Sequence, residues 1–82
     1  MKKKLDPRLT EEIEQILKEI GSRIKAQRKL VSNNYEDFAR DHNVNKVTLL
    51  RVENGENSSL KSIITLARVV GIKIEDLFKD IQ

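Results

Sequence analysis

The chain has 82 residues, with 16 Lys+Arg against 13 Asp+Glu for a net charge of +3, and neither Cys nor Trp. That length suits one domain, and the lack of cysteine excludes a disulfide scaffold or a thiolate metal site and fits a reducing compartment. No apolar run approaches the ~18 residues of a membrane span, and Leu5-Asp6-Pro7 follows Lys2-Lys3-Lys4 where a secretion signal would turn apolar, so a small cytoplasmic domain is expected.

Ile, Leu and Val supply most of the apolar residues, yet they recur every three or four positions instead of alternating, which points to helices. Leu9, Ile13, Ile16, Leu17, Ile20 and Ile24 form one face of a long first helix. Asp6 and Pro7 make an N-cap and first-turn pair, and Glu11 and Glu12 suit the positive helix end. Gly21 costs roughly 1 kcal/mol against alanine inside a helix, so it is expected to mark a bend between an N-terminal extension (1–20) and the domain proper (21–82).

Ser32-Asn33-Asn34 supplies the cap for a short helix from Tyr35 to Asp41 that turns Phe38 and Ala39 inward. In the following turn Asn43 takes the left-handed conformation at low cost, and Asn45 caps a third helix, Lys46 to Asn54, with Leu49 and Val52 inside. Gly55 ends it. Ser59 caps a fourth helix expected to bury Leu60, Ile63, Ile64, Leu66, Ala67 and Val70 and to close at Gly71. Ile74, Leu77, Phe78 and Ile81 stripe a last helix. The expected fold is all-α, with five helices.

Two short helices joined by a four-residue turn are helix-turn-helix geometry, but periodicity alone does not separate this from any other helical corner. The residues do. Arg28, Phe38-Ala39, Val44-Asn45, Leu49, Val52-Glu53-Asn54-Gly55, Leu66-Ala67, Gly71-Ile72 and Leu77-Phe78 stand at spacings that resemble the Cro/CI (lambda-repressor-like, XRE-type) family. The resemblance runs without a gap from Gly21 to Phe78. It implies a five-helix DNA-binding domain in which Arg28 and Glu53 pair to set the angle of the third, recognition helix.

The resemblance further implies that Lys46, Val47, Thr48, Leu50 and Arg51 face base edges in the major groove. Lys46 and Arg51 would donate to guanine, and Val47 would pack on a thymine methyl. Val47 and Leu50 are expected to project outward. Phosphate contacts are implied for Asn34, Tyr35, Asn45, Asn54 and the Gly55 amide, with Arg23, Lys25, Lys29 and Lys61 adding charge nearby. Lys2-Lys3-Lys4 reads as a solvated terminus and not as an arm in a groove. The sequence departs from the family at Tyr35, where a glutamine usually opens the second helix, at Ser58, where proline is usual, and at His42, which replaces an apolar residue. His42 is expected to be partly buried and hydrogen-bonded.

Enzymatic chemistry is not expected. No nucleophile stands with a base, no glycine-rich phosphate loop is present, and neighbouring acids such as Glu11/Glu12 and Glu75/Asp76 point apart on their helices. No cofactor, metal site or effector domain is expected either. One recognition helix reads only a few base pairs, so a homodimer on an inverted repeat of double-stranded DNA is the expected working form. Ile72, Ile74, Phe78 and Ile81 are the first candidate interface, and Leu9, Ile13, Ile16 and Leu17 are expected to cover the core of their own chain, with pairing against a partner's copy as the second reading. The alternative is an antitoxin-like module that keeps this fold and binds a protein through Val47 and Leu50.

Overall fold

The computed structural model describes residues 6–81; Lys2-Lys3-Lys4 lies outside the described residues. Five helices follow in order: α1 (Pro7–Val31), α2 (Tyr35–Asp41), α3 (Lys46–Glu53), α4 (Leu60–Val70) and α5 (Ile74–Phe78). The described residues contain no strand.

Local chemistry accounts for most of the helix ends. The Asp6 carboxylate accepts from the Arg8 amide ahead of Pro7. Asn34, Asn45 and Ser59 accept from first-turn amides of α2, α3 and α4. Asn43 is left-handed at φ 54°, as its residue type allows, while Gly55 (φ 75°) follows the end of α3. Glu11 and Glu12 fall one turn beyond the start of α1, whose first turn holds no acid. Asp6 alone meets that positive end.

Packing centres on α1, which touches each of the other four helices. Ile20, Ile24, Phe38, Ala39, Leu49, Val52, Ile63, Leu66, Ala67, Val70 and Leu77 are buried together. Fully covering a side chain of this kind contributes ~1.5–3 kcal/mol, and Ile24, Phe38, Leu49, Leu66 and Leu77 are the largest that are completely enclosed. Leu60 corrects the reading of α4: it is 61% exposed, because the buried stripe of that helix begins at Ile63. The last helix is also shorter than its apolar stripe. It ends at Phe78, and Ile81 packs on the core from beyond it.

Gly21 does not interrupt α1. The helix runs through it unbroken, and Gly21 is buried where α1 meets α3. A Cβ there would overlap the Val52 carbonyl oxygen and stand 2.9 Å from that of Glu53. The absent side chain therefore serves a close approach of two backbones. N-terminal to Ile16 the helix leaves the body of the domain. At about 1.5 Å per residue, α1 is roughly 37 Å long, which matches the 45 Å long axis of a molecule only 27 and 18 Å across otherwise. Ile16 and Leu17 still pack on the core, whereas Leu9 and Ile13 stay exposed and are not part of the core among the described residues.

Candidate nucleic-acid interface

The position of α3 is set by charge inside the fold. Arg28 on α1 and Glu53 at the end of α3 are 3% and 7% exposed. The guanidinium donates from Nε to Glu53 Oε2 and from Nη2 to Oε1, both at 2.9 Å. Its remaining terminal nitrogen, Nη1, donates to the carbonyls of Ser32 (3.1 Å) and Asn33 (3.2 Å). One side chain thus fixes both the α3 end and the loop that aims α2. The loop contact had no signal in the sequence, since it depends on how the chain turns after Val31.

The hydrogen bonds to Glu53 raise the Arg28 pKa above its ordinary value; burial pulls the other way, and the nearby carboxylate charge adds to the rise. For a base raised on folding, the stabilisation is full below the unfolded-state value and lost only as pH climbs through the still higher folded one. The guanidinium therefore stays charged across the whole physiological range.

At the other end of α3, the Asn45 side-chain carbonyl accepts from the Thr48 amide at 3.1 Å. Asn34 does the same for α2, accepting from Glu36 and Asp37 at 2.8 and 3.1 Å. Each cap uses the side-chain oxygen and leaves the amide NH2 available as a donor. Lys46, Val47 and Arg51 lie exposed along one side of α3, Val47 at 53%. Arg51 forms no ion pair among the described residues, whereas Lys46 meets Glu36 of α2 at 3.4 Å. That pair is exposed on both sides, so it is worth little and easily exchanged for another acceptor.

Several residues stand differently from the expectation. Leu50 is half-buried and does not project outward with Val47; Thr48 is half-buried as well. The Gly55 amide already donates to the Val52 carbonyl at 3.0 Å, closing α3, so it is not an open donor for phosphate. Arg23 is engaged elsewhere: it donates to the Asp76 and Leu77 carbonyls at 3.0 and 3.2 Å and pairs with Glu19. It holds the carbonyl end of α5, where a cation is favoured. Lys25, Lys29, Lys61 and Asn54 remain exposed.

Tyr35 is half-buried against the core at the start of α2. His42 stacks on Phe38 with ring centroids 4.2 Å apart, its Nδ1 3.0 Å from the Phe38 carbonyl, yet the residue as a whole is exposed. It caps the edge of the core from outside. Ile72, Ile74 and Ile81 pack partly on their own core, and Phe78 is 41% exposed.

Among the described residues no helix is long and apolar enough to cross a membrane. The family of Cro/C1-type HTH DNA-binding domains matches residues 22–82. The chain is 34% identical over 58 residues, 70% of its own length and 88% of the relative's, to an uncharacterized HTH-type transcriptional regulator of Methanocaldococcus jannaschii. No solved structure matches it at a significant level.

Proposed function

Because this chain belongs to the Cro/C1-type helix-turn-helix DNA-binding family, we propose that it is a sequence-specific transcriptional regulator that reads the major groove with α3 as a homodimer. The observation that carries this reading is an exposed Lys46–Val47–Arg51 surface on a helix whose other end is locked to α1 by a buried bidentate ion pair. A reading head must hold its side chains steady relative to the phosphate anchors, and the Arg28 cluster ties α3 to the α1–α2 loop. The amide groups of Asn34 and Asn45, the first α2 amide at Tyr35, and Asn54 are the phosphate donors in this scheme, with Lys25, Lys29 and Lys61 as candidates around them. Thr48 and Leu50, being half-buried, play a lesser part in base contact than Arg51.

Selection of bound duplexes from a randomised library near 150 mM salt tests the function. Enrichment of an inverted repeat supports it, and the half-site spacing then measures the separation of the two α3 helices. Binding without enrichment that vanishes as salt rises is simple counterion release, and it would turn attention to a protein partner for the exposed Val47. On the selected operator, Arg51→Ala should cost ~1–3 kcal/mol and relax preference at one position per half-site. Uniform weakening on all sequences would make Arg51 a phosphate contact instead.

The dimer contact in this scheme begins with Phe78, the large apolar side chain of α5 that its own core leaves exposed. Phe78→Asp should shift the protein to monomer in sedimentation equilibrium. A variant that remains fully dimeric places the two-fold contact elsewhere.

A further inference from the structure

Resting on the homodimer proposed above, we infer that the projecting start of α1 is the dimer's second contact, seated in the groove between α4 and α5 of a second copy of the chain. Two surfaces are left open among the described residues of one protomer. The first is the overhang, where Leu9 (43% exposed) and Ile13 (41%) continue the apolar face that buries Ile20 and Ile24 two to three turns further on. The second is an open groove whose floor includes the half-buried Ile72 and Ile74 and whose rim carries Arg68 and Lys73 with a single acid, Glu75.

Their charges are complementary. Residues 7–20 contain Glu11, Glu12, Glu14 and Glu19 against Arg8 and Lys18, a net charge of −2. Glu12 and Glu14, which flank Ile13, form no ion pair among the described residues, and neither do Arg68 and Lys73. Pairing one overhang with another overhang would instead bring like charges together around Ile13. The overhang therefore matches the groove better than it matches itself.

Area points the same way. A stable interface needs about 1,200–2,000 Å² of total buried surface, and an aromatic side chain supplies at most ~150–250 Å². Phe78 on a five-residue helix falls well short. Inserting each overhang into the other protomer's groove adds two helix-length contacts related by the same two-fold axis. Position permits this, because Arg23 ties the end of α5 to α1 about two turns from where the overhang begins at Ile16, so a partner docked on α5 lies near it. Coverage by a partner also explains a helical projection that too few tertiary contacts support alone.

The test is sedimentation equilibrium of the full chain without DNA. Ile13→Asp should raise the dimer dissociation constant at least tenfold, as should Glu12→Lys/Glu14→Lys and, separately, Arg68→Glu/Lys73→Glu. All these sites are exposed, so folding should survive, with circular dichroism as the check. Combining the two charge reversals in one chain should restore the dissociation constant to within about threefold of the parent. Additive weakening with no restoration overturns the pairing, as does an Ile13→Asp variant that dimerises normally while Phe78→Asp does not. In that last case the dimer stands and only the overhang contact falls. A parent chain that is monomeric at every concentration removes the dimer itself.

Discussion

Arg28→Ala should lower the unfolding free energy by about 3–5 kcal/mol, the range for a buried ion pair that loses one partner. The carboxylate of Glu53 would be left buried without its two 2.9 Å donors, and the Ser32 and Asn33 carbonyls would lose theirs. For an 82-residue domain that is a large fraction of the whole stability. Urea unfolding monitored by circular dichroism measures it. The informative companion is the double variant Arg28→Met/Glu53→Leu. Exchanging a buried pair for apolar groups of similar volume is often neutral or stabilising, so stability should largely return. Operator affinity should not, because the fork that fixes the angle of α3 is gone. A double variant with parental affinity would show that core packing alone aims the recognition helix.

Gly21→Ala gives the second large effect, and its sign runs against helix propensity. In an exposed helix interior this change gains roughly 1 kcal/mol. Here the new methyl group meets the carbonyl oxygens of Val52 and Glu53, which are main chain and cannot rotate away. Overpacking of a tight contact costs ~1–3 kcal/mol, occasionally more, so after the propensity gain a net loss of up to about 2 kcal/mol is expected in urea unfolding. Molecules that stay folded must separate α1 from α3, which also strains the Arg28–Glu53 pair at the same junction. DNA affinity should therefore fall by more than the unfolded fraction explains. A stabilised Gly21→Ala protein would mean that the two helices yield easily at this point.

The starts of α1 to α4 are legible in the sequence because capping is a short-range effect, whereas α5 has no side-chain cap and stops at Phe78. Asp6, Asn34, Asn45 and Ser59 act on amides two or three residues away, and Asn43, Gly55 and Gly71 adopt backbone angles that their residue types favour. Leu60 departs from its sequence pattern for the opposite reason. Its spacing fits the apolar face of α4, but burial depends on what lies opposite, and Leu60 stands 61% exposed while Ile63 one turn on is covered. The same limit applies to Leu50, whose outward projection on α3 was expected and whose side chain is half covered.

Charged residues show the division most clearly. Lys25, Lys29 and Arg23 look equivalent along the sequence of α1, yet Arg23 alone faces the end of α5 and donates to its carbonyls. A cation's role follows from which acceptors the fold brings within about 3 Å, and these lie more than fifty residues away in sequence. Gly21 is a similar case, since its need for a missing side chain arises from α3.

What the sequence determined by itself is the all-helical class, the order of the five helices with the ends of α2 and α4, and the family resemblance carried by Arg28, Ala39, Glu53-Asn54-Gly55 and Gly71. Those follow from periodicity, capping and backbone preference, which act within a few residues. The tertiary structure alone decided that α1 runs unbroken through Gly21, that Arg28 also holds the loop before α2, that Arg23 serves α5, and that Leu9 and Ile13 project beyond the body. Each of these depends on the distance between segments remote in the chain, and that distance exists only once the helices have packed.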